Sequence, residues 1–222
     1  MLFQEMKAQE ESAAGPGPLE GFRVLEVAGP YSASWAGAVL AGWGADLVVV
    51  GDAGAARKDP GAAGGGRRLG LDLECAGGRG VFHDLVVRAD VFLTGLPSAE
   101  RARCGVELAD VRRANARIVY AGGAGTALHA HGEADALPGI HLAVGVAAAL
   151  LRRERTGEVP ALDLAVSART LAWWTEGHAD VRVLDRPARV PSGTDAPTDE
   201  ILMDLGMGWD RIIELKASGA VE

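Results

Sequence analysis

Aromatic side chains supply only 5% of this 222-residue chain, lysine occurs three times against nineteen arginines, and there are just two cysteines. With few rings and 31 glycines, any sheet and its helices must pack through small side chains and close backbone approach. Cys75 and Cys104 have neither the CxxC spacing of a metal site nor the number for a disulfide framework, so both are read as reduced thiols. No basic stripe is present, and 22 Lys+Arg stand against 30 Asp+Glu for a net charge of −8, which disfavours a nucleic-acid partner. The longest apolar run, Leu142 to Leu151, is too short for the ~20 residues that a membrane helix needs. The first seventeen residues carry several acids and no apolar stretch of signal-peptide length. These absences predict a cytoplasmic protein without membrane or nucleic-acid partners. GxGxxG, P-loop, HExxH and GxSxG motifs are also missing.

Hydrophobic residues make up 48% of the chain and charged residues 23%, values of an ordinary globular protein. Residues 1–17 read as a flexible charged lead-in ending in Gly-Pro-Gly. RVLEVA from Arg23 and DLVVV (Asp46–Val50) read as strands, and the second lacks alternation, which implies burial on both faces as in a parallel sheet. Between them a small-residue helix runs to Gly42 or Gly44. Gly51 to Gly70 reads as one long loop. Beyond it the pattern predicts a helix over 76–88, a strand in DVFLTG, a helix over 107–115 and a strand in RIVYAGG. An apolar helix over 138–153 and a strand in VPALDL follow. A helix around Trp173 and Trp174, read as a packing or subunit contact, leads into a Pro-containing linker over 180–197. Two short helices split by Gly206 and Gly208 form a tail over 198–222 that packs back on the main body. Strands alternating with helices predict a Rossmann-like α/β fold, a mostly parallel sheet with helices on both faces.

Ligands of such sheets bind outside the carboxyl ends of the strands, so the loops Ala28–Tyr31, Thr94–Ser98 and Gly122–Leu137 and the turn after Leu164 are the places to look. Asp135 stands just before the apolar helix, where unpaired N–H groups and the helix dipole favour a carboxylate. It either finishes the loop and supports the helix start, or acts as a nucleophile or base. His129 and His131, close to Glu133 and Asp135, are proton-transfer candidates or solvated loop histidines; their spacing matches no standard metal site. His141 lies on the helix and reads as a packing residue. Cys104 has Arg101 and Arg103 beside it, which can depress a thiol pKa, although a half-buried structural thiol is the plainer reading.

PLEGFRVLEV, AGPYSASWAGAVLAGWGADLVVV, RRLGLDLECAGGRGVFHDLVVRADVFLTG and RARCGVELADVRRANARIVYAGG together resemble the N-terminal half of the class III CoA-transferases. This family includes formyl-CoA transferase and α-methylacyl-CoA racemase. GIHLAVGVAAALLRRERTGEVPALDLAVSARTL and PTDEILMDLGMGWDRIIELKASGAVE continue the resemblance in the same order. It implies the family's large domain over 18–179, with 180–197 in place of the small inserted domain. The activity it implies is acyl transfer between a CoA thioester and a carboxylic acid. An aspartate four residues before a helix-start glycine attacks the thioester, giving a mixed anhydride and then an aspartyl-CoA thioester; Asp135 and Gly139 match that spacing. In the racemases the equivalent aspartate moves the α-proton with a histidine. The resemblance also implies CoA contacts at Ala28, at Leu71, Asp72 and Leu73, and at Arg103. Glu74 replaces a usual lysine, Gly95-Leu96-Pro97 departs from the usual Asn-Phe, and Arg67 and Arg68 offer compensating charge. No metal is implied. Partners would be an acyl-CoA, a small carboxylic acid and a second copy or related chain. The competing readings are a non-catalytic or repurposed binding subunit and an acyl-CoA racemase or isomerase.

Overall fold

A computed structural model describes residues 17–27, 32–51, 66–123, 136–164 and 198–221. Six strands line up in parallel: β1 (Arg23–Val27), β2 (Asp46–Gly51), β3 (Arg67–Gly70), β4 (Val91–Thr94), β5 (Val119–Gly123) and β6 (Ala161–Leu164). Their spatial order is β3-β2-β1-β4-β5-β6. The chain winds outward from β1 in one direction, then crosses over and winds in the other, so the order reverses between β1 and β4.

Side chains alternate across the sheet and each face is covered. Leu25, Val27, Val48, Val50, Phe92 and Tyr120 point to one face, where they meet four helices. These are α2 (Ala76–Arg88), α4 (Leu108–Ala114) and the tail helices α6 (Thr198–Asp204) and α7 (Trp209–Ala217). Phe82, Phe92 and Tyr120 are buried here. Phe92 lies edge-on to Phe82, with centroids 5.9 Å apart, and 5.3 Å from the Tyr120 ring. Tyr120 donates its hydroxyl proton to the Val106 carbonyl at 3.2 Å, so the polar end of a buried ring is paired. Val24, Leu47, Val91, Leu93 and Ala121 point the other way, against α1 (Ser32–Gly42) and the long helix α5 (Ala136–Thr156). Small residues let α1 and α5 press close: Ala36, Ala38 and Ala41 of α1 and Ala143 and Ala149 of α5 are all buried. Glu26 is 1% exposed under α1, and a Cβ added at Gly37 would stand 2.2 Å from its Oε2. Glycine at 37 therefore makes room for a buried carboxylate.

The carboxyl end of α5 is tied to the sheet through Arg153, itself 5% exposed. Its guanidinium donates to the Asp90 carboxylate at 2.9 Å and to the backbone carbonyls of Asp90 and Arg117, and stands over the Phe22 ring.

Two expectations need correction. The last four residues of the expected Gly51–Gly70 loop are an edge strand, β3, paired to Val48–Gly51. A seven-residue helix absent from the sequence reading, α3 (Ser98–Cys104), follows β4 and ends at Gly105 in the left-handed conformation. The expected α/β fold, the helix over 76–88 and the split helical tail are present. The lead-in, apart from Gly17, the segment around Trp173 and Trp174 and the 180–197 linker lie outside the described residues.

Two glycines of α2 should respond oppositely to alanine. At Gly78 an added Cβ would stand 2.0 Å from the Asp72 carbonyl oxygen, whereas at Gly80 nothing lies within 4 Å. Gly78→Ala should cost about 1–3 kcal/mol in urea unfolding. Gly80→Ala should stabilise by about 0.5–1 kcal/mol, because it lowers the backbone entropy of the unfolded chain.

Candidate functional site

At the carboxyl edge of the sheet the described chain offers three pieces, the last of them beside the reversal between β1 and β4. The first is the segment leaving β3. Leu71 forms an antiparallel bridge to Val221, and Asp72 N–H donates to the Ala220 carbonyl at 3.1 Å. The chain's own tail thus closes the outer side of this segment. Leu71 and Leu73 are buried in the core. The Asp72 carboxylate accepts the Glu74 N–H at 2.8 Å, a local turn bond. Cys75 then caps α2: its Sγ accepts from Gly78 N–H at 3.2 Å and donates to the Asp72 carbonyl.

The second piece is an ion pair across that turn. Arg103 Nε lies 3.1 Å from Glu74 Oε1, and both side chains are largely exposed. The third is the turn after β4. Thr94 is fully buried and its hydroxyl accepts the Leu96 N–H at 3.2 Å. Arg101, half-buried on α3, donates to the Leu96 carbonyl at 3.2 Å. The same Nη1 lies 3.6 Å from where a Cβ on Gly122 would stand, and Gly122 is the β5 partner of Thr94. That distance is an ordinary van der Waals contact, so the guanidinium lies against the ends of β4 and β5.

A family model described as CoA-transferase family III matches residues 19–127. Over that span the chain is similar to CoA-transferase family III. Among solved structures the fold is similar to Rv3272 from M. tuberculosis, with TM-score 0.62 and 24% identity over 73% of this chain and 59% of that one. A CAIB/BAIF family protein from Brucella suis gives TM-score 0.58 and 19% identity over 74% of this chain and 59% of that one. This chain therefore spans about three-fifths of the length of these relatives. Among curated proteins nothing matches.

In the described structure the sequence candidates are distributed unevenly. Leu71, Asp72, Leu73 and Arg103 come together at the carboxyl edge, with Arg103 engaged by Glu74. Arg67 does not join them. It opens β3 at the opposite, amino-terminal edge, where it bonds Asp46 at 2.8 Å and Asp204 at 2.5 Å. Burial opposes its charge, but the two carboxylates outweigh that and raise its pKa above the ordinary value. Arg67 is thus a clamp between sheet and tail rather than a compensating charge for a phosphate. A cavity of about 310 Å³ lies at this same edge, rimmed by Arg23, Asp46, Arg67, Arg88 and Asp204. Arg88 there donates to the Asp204 and Leu205 carbonyls. Arg68 is half-buried on β3, next to Arg67 and opposite Val49 of β2. Asp135, His129, His131 and Ala28 lie outside the described residues; α5 begins at Ala136, the residue after Asp135.

Among the described residues no three His, Cys, Asp or Glu side chains group as metal ligands, and no helix is long and apolar enough to cross a membrane. Arg101 was noticed in the sequence only as a neighbour of Cys104. Nothing local shows that it reaches Gly122, since that contact joins α3 to β5, 21 residues further along the chain. The Cys104 thiol is half-buried, as its plainer reading expects, and its neighbouring arginines do not depress it. Burial pushes its pKa up, Glu74 and Glu100 add to that, and Arg103 pulls down without overcoming them.

Cys104 should therefore be alkylated by iodoacetamide only above the usual thiol range. Glu74→Gln removes one raising charge and frees Arg103, so the midpoint of alkylation rate against pH should move down. Peptide mass spectrometry separates Cys104 from Cys75 in this assay.

Proposed function

We propose that this chain binds an acyl-CoA at the carboxyl edge of its sheet and passes the acyl group to a small carboxylic acid, with Asp135 as nucleophile. The observation that carries this reading is the family III match over residues 19–127. The spacing of Asp135 to Gly139 supports it.

In this reaction the Asp135 carboxylate attacks the thioester carbonyl and the carbon–sulfur bond breaks, leaving an acyl–aspartyl anhydride and CoA thiolate. The thiolate attacks the aspartyl carbonyl, releasing the donor acid as its carboxylate and leaving an aspartyl-CoA thioester. The acceptor carboxylate attacks that thioester and expels CoA thiolate, which then takes the new acyl group and frees Asp135. No net proton is consumed. The start of α5 favours the anionic form that this cycle needs at the beginning and end. His129 and His131 are the nearby groups for proton movement if α-proton chemistry accompanies transfer. The protein acts in this reading as a cytoplasmic oligomer, paired with itself or with a related chain.

A second reading, a binding subunit without catalysis, is favoured by one observation: Glu74 already holds Arg103, the guanidinium that the resemblance assigns to the nucleotide.

Asp135→Asn should lower acyl exchange between a labelled acid and acyl-CoA by about 10⁴-fold or more, as loss of a nucleophile does, while CoA affinity by calorimetry stays within threefold. Hydroxylamine should cleave a CoA adduct from the native chain and none from the variant. Exchange unchanged in Asp135→Asn overturns the mechanism. CoA binding without exchange in the native chain selects the binding subunit, and α-deuterium uptake from D₂O without acyl exchange selects the racemase.

A further inference from the structure

We infer that Arg101, and not Arg103, is the cation that receives a phosphate group of the bound nucleotide. This rests on the acyl-CoA reading above and assigns the charge recognition within it.

Three observations lead there. Arg103 is paired: its Nε lies 3.1 Å from Glu74 Oε1, so a phosphate approaching its remaining N–H groups meets the repulsion of that carboxylate as well. Arg67 is spent at the opposite edge on Asp46 and Asp204. Arg101 has no carboxylate partner among the described residues, and one of its nitrogens is steadied by the Leu96 carbonyl at 3.2 Å. That bond neutralises no charge. It holds the guanidinium at the ends of β4 and β5, and the remaining N–H groups are left for a ligand.

Position agrees with chemistry. Gly122 pairs with Thr94, and both lie at strand ends immediately beside the β1/β4 reversal, where a parallel sheet opens its ligand crevice. Gly122 also leads toward the residues preceding α5. A planar guanidinium fixed along one edge suits the oxygens of a phosphate better than a mobile lysine does. Half-burial strengthens the attraction relative to the exposed Arg103–Glu74 pair, because less water screens it. The phosphate is either the diphosphate or the 3′-phosphate of CoA, and the assay below distinguishes them.

Calorimetry with CoA, dephospho-CoA and pantetheine on the full chain tests the assignment. Arg101→Gln should weaken CoA by about tenfold and leave pantetheine, which has no phosphate, within twofold. Arg101→Lys should recover part of the loss, and Arg103→Gln should change CoA affinity less than twofold. An equal loss for CoA and dephospho-CoA assigns the diphosphate, and a loss confined to CoA assigns the 3′-phosphate. Unchanged CoA binding in Arg101→Gln overturns the proposal, as does an equal loss for CoA and pantetheine, which makes Arg101 structural. A native chain that binds no CoA at all overturns the acyl-CoA reading itself, and this assignment with it.

Discussion

Parallel pairing of β1 with β2 on one side and β4 on the other is the constraint from which the rest follows. Parallel neighbours cannot be joined by a tight turn, so each connection must cross the sheet, and the crossing helices cover both faces. Once both faces are covered, the inner residues of β1, β2 and β4 are mostly buried and read as apolar runs. Glu26 puts a buried carboxylate into such a run on β1. It is accommodated because α1 presents a glycine at that point. The same reversal of strand order that organises the core also opens the crevice at the carboxyl edge. Core and candidate site are two results of one topology.

The parts of this fold legible in the sequence are those whose signal is local. RVLEV and DLVVVG announce buried strands by composition, and the tail announces two helices through the glycines between them. β3 was not legible, because RRLG contains one apolar residue and no alternation. It is a strand only because Val48–Gly51 lies alongside it and Val221 closes the end that follows. α3 was missed for a related reason. Its seven residues, SAERARC, include no buried side chain and no side-chain cap, so neither periodicity nor a start signal marks it. The aspartate spacing and the arginines were visible as residue types. Which arginine is paired with which acid was not, because Arg67–Asp204 and Arg103–Glu74 join positions far apart in the chain.

The two edges of the sheet use the same residue type for opposite ends. At the amino edge Arg67 gathers two carboxylates and Arg88 gathers two carbonyls, so the guanidinium charges hold the tail to the sheet. At the carboxyl edge the arginines sit on a single short helix, one facing an acid and one facing a carbonyl. Among the described residues Arg67, Arg103, Arg113, Arg152, Arg153 and Arg211 find carboxylates, whereas Arg88, Arg101 and Arg112 bond backbone carbonyls, which fix a guanidinium without neutralising it.

The grip of Arg153 has a mechanical meaning. α5 has 21 residues and is ~31 Å long at 1.5 Å per residue. Its carboxyl end is pinned under the sheet by Asp90, by two carbonyls and by the Phe22 ring. Nearer its amino end the same helix is held again, by Leu142, Ala143 and Val146 buried against α1 and the sheet. Arg153 therefore sets the direction of a rod that is gripped along its length, and a change at this one cation would be felt through the whole helix–sheet seam.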